Sequence, residues 1–141
     1  MKRFLALLLL PLLFACDDSG FNNNNPYIEN YTFSVDLNLS LPQYSALTIP
    51  GNGRFIGGYG ERGLIVFYTG SGYQAYDAAC PNQEISSCST MVIQGISAVC
   101  PCDDAEYNLY TGQYSGQESG YDYPMKPYRV QVLQGYLRIY N

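Results

Sequence analysis

The segment "GLIVFYTGSGYQAYDAAC", residues 63–80, carries the strongest structural signal in the chain. Two runs of apolar and aromatic residues flank a Gly-Ser-Gly turn at positions 70–72, which predicts a strand, a tight connection and a second strand. The second run leads directly to Cys80. We therefore expect a β-hairpin that is followed by a cysteine-bearing loop.

The segments on both sides of this hairpin also favour strands. Residues 33–41 alternate apolar with polar side chains and end at a proline, as expected of a half-buried strand. "TMVIQGISAVC" at 90–100 and "YRVQVLQGYLRIYN" at 128–141 each predict two strands around a Gln-Gly turn. After residue 15, no stretch of ten residues keeps a helical apolar period. The sequence therefore predicts an all-β fold, a small sandwich or barrel-like stack.

The first 16 residues, "MKRFLALLLLPLLFAC", are typical of an export signal. Lys2 and Arg3 precede an apolar run of 12 residues, which is shorter than the roughly 20 needed to span a bilayer. "LFAC" resembles a bacterial lipobox, and the resemblance implies cleavage before Cys16 and acylation of its sulfur. The alternative is an ordinary secretory signal that happens to be followed by a cysteine.

The lipobox resemblance implies a location in the bacterial cell envelope, on the periplasmic or cell-surface side of a membrane. Two or more acyl chains hold a protein stably on a membrane without a spanning segment. Residues 1–15 are then the signal peptide. Residues 16–30 are polar and rich in asparagine, which predicts a flexible tether. Residues 31–141 form the predicted domain.

Composition excludes several classes of function. Removing 15 of the 141 residues leaves 126, enough for one domain, with five basic and 12 acidic residues and a net charge of −7. This acidic balance argues against a nucleic-acid partner. The chain has no histidine, so a serine or cysteine nucleophile lacks its usual base, and we expect no enzymatic activity. The fifteen tyrosines suit cross-strand packing, and a tyrosine-lined binding face is the alternative.

Four cysteines remain once Cys16 is assigned to the lipid: Cys80, Cys88, Cys100 and Cys102. All four fall in two predicted loops, and disulfides persist outside the cytosol. Four cysteines allow three pairings, and their spacing does not choose among them.

The two loops resemble the cluster-binding loops of Rieske iron–sulfur proteins. The matching segments are "YQAYDAACPN" at 73–82 and "CPCDDAEYNLYTGQYSG" at 100–116, where the family has Cys-x-His and Cys-x-x-His. The family's cysteine ligands fall on Cys80 and Cys100, and its histidine positions fall on Asn82 and Asp103. "YPMKPYRV" at 123–130 resembles the proline-containing segment that covers the cluster. The resemblance extends over residues 31–141 and implies a small antiparallel sandwich of stacked sheets, with both cysteine loops at one tip.

The resemblance also implies how the cysteines pair. Some family members join a further cysteine of the first loop to the middle residue of Cys-Pro-Cys-His. That pair corresponds here to Cys88 and Cys102, and it leaves Cys80 and Cys100 facing each other as a second pair. Each disulfide is expected to stabilise the domain by about 2–4 kcal/mol.

The substituted histidine positions weigh against a cluster. An asparagine amide oxygen is a weak neutral ligand, and the carboxylate of Asp103 matches the second iron less well than an imidazole does. Proteins exported with an assembled cluster normally carry a twin-arginine signal, whereas "MKRFLALLLL" contains a single arginine. We therefore expect no metal or other cofactor at Cys80, Asn82, Cys100 and Asp103.

Three functions remain open from the sequence. The leading hypothesis is a non-enzymatic lipoprotein whose disulfide-stabilised domain has a structural role or binds an envelope protein. The second is an electron carrier that keeps a 2Fe-2S cluster through Cys80, Cys100, Asp103 and one further ligand. The third is a thiol–disulfide redox protein that uses Cys80 and Cys100, although nearby acidic residues would raise a thiol pKa. The acidic residues at 103, 104 and 106 could hold a hard cation such as calcium, or could simply form a solvated loop.

Overall fold

The computed structural model describes residues 24–141, so the predicted signal peptide and Cys16 lie outside the described part of the chain. The described residues form nine strands and one short 3₁₀ helix. In chain order they are β1 (Ser34–Asn38), the 3₁₀ helix (Pro42–Thr48), β2 (Gly53–Ile56), β3 (Leu64–Tyr68), β4 (Tyr73–Asp77), β5 (Val92–Gln94), β6 (Ser97–Val99), β7 (Glu106–Asn108), β8 (Pro127–Leu133) and β9 (Tyr136–Tyr140).

The strands form two antiparallel sheets. Six strands pair in the order β1-β9-β8-β4-β3-β2, and the other three pair in the order β5-β6-β7. The hairpin predicted at residues 63–80 is β3 and β4, with Tyr68 opposite Tyr73 beside the turn. The C-terminal hairpin is β8 and β9, with Leu133 opposite Tyr136.

Strand β3 explains why its sequence is apolar without alternation. Ile65 and Phe67 point into one buried cluster, and Leu64 and Val66 point into another on the opposite face of the sheet. Successive side chains of a strand alternate between faces, so a strand covered on both sides needs apolar residues throughout. All four side chains are fully buried, and each contributes about 1.5–3 kcal/mol of burial free energy.

The cluster that contains Phe67 lies between the two sheets. Tyr76 from the six-stranded sheet packs there with Ala98 and Tyr107 from the three-stranded sheet, and Cys80 and Cys100 belong to the same cluster. The first cysteine of each loop is therefore buried between the two sheets, at the end of the sandwich where the loops meet. The predicted all-β fold, with the two cysteine loops at one tip, is confirmed.

Two features were not anticipated. The proline that ends the first alternating segment begins a seven-residue 3₁₀ helix, whose Leu47 is buried. Residues 25–30, at the end of the segment expected to be a tether, contact the domain: Asn25 Nδ2 donates to the carbonyl of Pro81 (2.8 Å), and Ile28 is buried. Within residues 24–141, no helix is long and apolar enough to cross a membrane.

Candidate functional site

Backbone hydrogen bonds fix the first cysteine of each loop. The first loop, residues 78–91, joins β4 to β5, and the N–H of Cys80 donates to the carbonyl of Ser89 across it (3.0 Å). The second loop, residues 100–105, joins β6 to β7, and the N–H of Cys100 donates to the carbonyl of Ala105 (2.9 Å). Asp104 takes a left-handed conformation (φ 58°), which aspartate tolerates better than most residues, and its N–H donates to Cys100. Both cysteines are thus held at the bases of tight loops.

Two disulfides join the loops. Cys80 is bonded to Cys100, with their Cα atoms 5.7 Å apart, and Cys88 is bonded to Cys102, with their Cα atoms 5.2 Å apart. This is the pairing that the family resemblance implied. The two bonds differ in access to solvent: Cys80 and Cys100 are each 1% exposed, whereas Cys88 is exposed and Cys102 half-buried.

Asn82 connects the first loop to two other parts of the chain. Its side-chain nitrogen donates to the hydroxyl of Tyr107 (2.8 Å) and to the carbonyl of Tyr123 (2.7 Å). Its side-chain oxygen accepts the N–H of Tyr123 (2.8 Å). Burial raises the pKa of Tyr107 to about 12, and the bond from Asn82 opposes that shift. Both amide hydrogens and the amide oxygen of Asn82 are therefore engaged within the protein.

Asp103 is also engaged within the protein. One carboxylate oxygen accepts the N–H of Ala105 (3.1 Å), and the other accepts the hydroxyl of Tyr121 (3.3 Å). Tyr121 stacks on Tyr114 with ring centroids 4.1 Å apart, and Tyr114 in turn contacts Tyr107. Partial burial, and then the charge of Asp103, raise the pKa of Tyr121. Asp103 thus fixes its own loop and orients a row of tyrosines beside it.

The sequence matches no protein-family model and no curated protein. Among solved structures, a quaternary ammonium Rieske monooxygenase in complex with L-carnitine superposes with a TM-score of 0.54 at 17% identity, covering 78% of this chain and 32% of that chain. A carbazole-bound oxygenase–ferredoxin complex of carbazole 1,9a-dioxygenase gives 0.52 at 15% identity, covering 82% and 30%. The fold is Rieske-like. The Rieske-like chain spans about a third of the length of these two oxygenase chains, and the likeness concerns the fold alone.

Two ferredoxin-type neighbours are similar in length to the Rieske-like domain. The ferredoxin of carbazole 1,9a-dioxygenase from Nocardioides aromaticivorans gives a TM-score of 0.45 at 18% identity, covering 64% of this chain and 86% of that chain. The Sphingomonas yanoikuyae B1 ferredoxin gives 0.46 at 17% identity, covering 66% and 88%.

The residues at the four ligand positions of this Rieske-like domain do not fit a 2Fe-2S cluster of the Rieske type. Such a cluster requires two thiolates on one iron and two neutral nitrogen ligands on the other. The sulfurs of Cys80 and Cys100 are bonded to each other. Asn82 presents an amide whose nitrogen has no lone pair to give, and Asp103 presents a carboxylate that accepts two hydrogen bonds.

The acidic residues of the second loop do not form a cation site in the described part of the chain. Among residues 24–141, the potential ligand atoms that converge are the sulfurs of Cys80, Cys100 and Cys102, all within 4.8 Å of one another. The carboxylates at 103, 104 and 106 are exposed and do not converge on one point. This arrangement therefore gives no support to the calcium hypothesis.

Sequence reasoning missed Asp77, which positions the start of the first cysteine loop. Its fully buried carboxylate accepts the N–H groups of Glu61 (2.6 Å), Arg62 (3.2 Å) and Ala79 (2.8 Å) and the hydroxyl of Tyr128 (2.7 Å). The available signal was a single acidic residue at the end of an apolar strand. A buried carboxylate at such a position needs several donors, which here come from two connections and a neighbouring strand.

Lys126 was also missed, although it lies within the "YPMKPYRV" segment. Its side chain is fully buried, and Nζ donates to the carbonyls of Ile28 (3.3 Å) and Glu29 (2.6 Å) and to Oδ1 of Asn30 (2.7 Å). Burial lowers the pKa of Lys126. This lysine joins the N-terminal segment to the segment that passes beside the cysteine tip.

Proposed function

We propose that this chain is an exported, lipid-anchored protein whose Rieske-like domain holds no cluster and is stabilised by two disulfides. Its role is structural or partner-binding, in the bacterial cell envelope, and it is not an enzyme. The observation that carries the proposal is that all four ligand positions are already engaged within the protein: Cys80 with Cys100, Asn82 with Tyr107 and Tyr123, and Asp103 with its own loop.

The hydrogen bonds of Asn82 support the absence of a cluster most directly. A ligand at this position would have to turn away from Tyr107 and Tyr123, leaving a buried phenol and a backbone carbonyl and N–H without partners. For the buried hydroxyl of Tyr107 alone this loss is about 1–3 kcal/mol. An amide oxygen on iron does not offset that loss, because it is a weak ligand for this metal.

An exposed apolar groove supports a partner-binding role. Phe55 on β2 and Val92 on β5 are 44% and 52% exposed, and the groove between these edge strands is lined by Phe55 and by residues 90–93, with a volume of about 490 Å³. Exposed apolar side chains grouped around a groove are typical of interaction sites. Without residues 1–15 the chain has a net charge of −7, which favours a protein partner over a nucleic acid.

The lipid anchor is tested by Cys16→Ser. This substitution removes the acylated sulfur, so the variant should leave the membrane fraction and lose the acyl mass, whereas Cys88→Ser, which changes a disulfide cysteine, should stay attached. Continued acylation and sedimentation of Cys16→Ser would contradict the anchor.

The absence of a cluster is tested on protein purified anaerobically from its own envelope. Iron, acid-labile sulfide and visible absorption should be at background, and mass mapping of non-reduced peptides should find both disulfides. The double variant Asn82→His/Asp103→His should remain colourless when exported by the same route, because its cysteines pair before any cluster reaches them. Stoichiometric iron and sulfide, with Cys80 and Cys100 not disulfide-bonded, would overturn the proposal and favour the electron-carrier hypothesis instead.

A further inference from the structure

The two disulfides have the same chemistry but very different access to a reagent. The sulfurs of Cys80 and Cys100 lie inside the core, with each residue 1% exposed, and an external thiolate cannot reach them without unfolding. Cys88 is exposed and its partner Cys102 half-buried. Because thiol–disulfide exchange begins with attack by a thiolate on a disulfide sulfur, Cys88 is the accessible point of attack.

Cys102 connects the accessible disulfide to the buried one. Its sulfur belongs to the group of three, with those of Cys80 and Cys100, in which every pair lies within 4.8 Å; Cys88 is outside this group. A thiolate formed at Cys102 would therefore lie within 4.8 Å of both sulfurs of the buried disulfide. Only one residue, Pro101, separates Cys100 from Cys102, so the second loop itself holds the sulfurs near each other.

Two polar side chains are placed to stabilise the thiolates that such an exchange releases. The hydroxyl of Ser86 lies 3.3 Å from the sulfur of Cys88 and 3.6 Å from that of Cys102, so it can donate to either after the bond breaks. The carbonyl of Ser86 accepts from Arg62 (2.7 Å), which fixes its position. The side-chain amide of Gln83 donates to the sulfur of Cys100 (2.6 Å). Hydrogen bonds to a charged group are among the stronger ones in proteins.

We propose that Cys88–Cys102 is an exchange site for an external dithiol and that Cys102 transfers the reduction to Cys80–Cys100. In the first step a thiolate of the dithiol bonds to Cys88, the Cys88–Cys102 bond breaks, and the electron pair leaves on Cys102. In the second step Cys102 bonds to Cys80, and Cys100 leaves as a thiolate that accepts from Gln83 and then takes a proton from solvent. The second thiol of the reagent attacks its own mixed disulfide and releases Cys88.

The net reaction is a two-electron exchange. The external dithiol becomes a disulfide, and the chain keeps one disulfide, Cys80–Cys102, with thiols at Cys88 and Cys100. The class of partner is a protein or small molecule with two neighbouring thiols, since a single thiol would remain bonded to Cys88. This goes beyond the proposed function, because the bonds that stabilise the domain then respond to the redox state of their surroundings. It rests only on the disulfide pairing of that proposal, and not on the anchor or a binding partner.

The experiment follows reduction of the folded, full-length protein by dithiothreitol, with samples alkylated in acid and mapped as non-reduced peptides. After two electrons, alkylated Cys88 and Cys100 and a Cys80–Cys102 disulfide are expected. Alkylated Cys88 and Cys102 with an intact Cys80–Cys100 bond would overturn the transfer step. If Cys80 and Cys100 are alkylated before Cys88, the proposal is overturned altogether, because reduction would then proceed by opening of the core.

A double variant separates transfer from unfolding. Cys88→Ser/Cys102→Ser loses a disulfide and is less stable, so unfolding-limited reduction of Cys80–Cys100 would become faster in it. The transfer mechanism instead expects that reduction to become at least about tenfold slower, because the attacking sulfur is gone. Unchanged or faster reduction would refute the transfer.

Ser86→Ala tests the site of the first step. Removing a hydrogen bond to a charged sulfur should slow the first reduction about tenfold, while the urea midpoint stays unchanged. An unchanged rate would contradict the role given to Ser86, which is to stabilise the thiolate released in the first step.

Iron and sulfide in the purified protein would defeat the proposed function and this inference together, whereas an iron-free protein with both disulfides and no Cys80–Cys102 product would defeat this inference alone.

Discussion

Replacing Asp77 by asparagine should lower the free energy of unfolding by about 2–6 kcal/mol. The carboxylate is fully buried and accepts four hydrogen bonds, two on each oxygen. Asparagine has nearly the same shape but keeps a single acceptor oxygen, so its NH₂ group must face two donors. Each buried donor left without an acceptor costs about 1–3 kcal/mol, which gives the range for two. A loss of this size is a large part of the 5–15 kcal/mol that stabilises a typical domain.

Urea denaturation of the disulfide-intact protein, followed by circular dichroism, measures this loss. The slope of the free energy against urea should be unchanged, because the variant buries the same surface. The matched control is Asp36→Asn, which makes the same chemical change in an exposed ion pair with Arg138 (2.7 Å, both side chains 43% exposed) and should cost about 0–1 kcal/mol. If the two variants lose equal stability, or if Asp77→Asn loses less than about 1 kcal/mol, the role given to Asp77 is wrong.

Two further predictions concern the same region of the domain. Gly60→Ala should lower the free energy of unfolding by about 1–3 kcal/mol more than Gly58→Ala in the same urea assay. Both glycines have positive φ (66° and 90°), but a Cβ at position 60 would collide with the side chain of Asp77, whereas a Cβ at position 58 would have no atom within 4 Å. Equal losses would contradict this packing. Burial raises the pKa values of Tyr76 and Tyr107 from 10.0 to about 12, so the stability that they contribute is complete below about pH 10 and is lost as the pH rises towards about 12. Tyrosinate absorbance should therefore show these two groups still protonated in the folded protein at pH 10, and their ionisation there would refute the effect of burial.

Much of the fold could be predicted because its signals are local. The hairpin at residues 63–80 combines two strand-forming runs with a turn whose glycines permit it, and both strands form where expected. The cysteine loops were also found from the sequence, because a cysteine directly follows each of two predicted strands. The pairing of the cysteines, in contrast, could not be predicted from local signals, because four cysteines in two loops are compatible with every pairing. It was implied only by the family resemblance.

The contacts that the sequence did not predict join residues far apart in the chain. Lys126 binds residues 28–30, nearly 100 positions earlier, and no local pattern marks either partner. Asn82 was considered in the sequence only as a weak ligand, whereas its side chain bonds to Tyr123, 41 positions later. The hydrogen-bond partners of such polar side chains are determined by the tertiary structure, which brings donors and acceptors from distant parts of the chain together. Their roles become visible only when the sheets are assembled.

The hydrogen bond between Asn25 and Pro81 sets how far the disulfide tip can travel from the lipid. Pro81 adjoins Cys80, so the N-terminal segment meets the domain at its cysteine end. With Cys16 acylated as proposed, nine peptide units separate the anchor from Asn25, and a fully extended chain covers about 3.5 Å per residue. The tip would therefore stay within about 30 Å of the membrane surface whatever path the intervening residues take. A protein that exchanges thiols with Cys88 would have to reach it within about 30 Å of the membrane surface. A partner protein confined to the same membrane would therefore encounter Cys88 far more often than a freely diffusing partner.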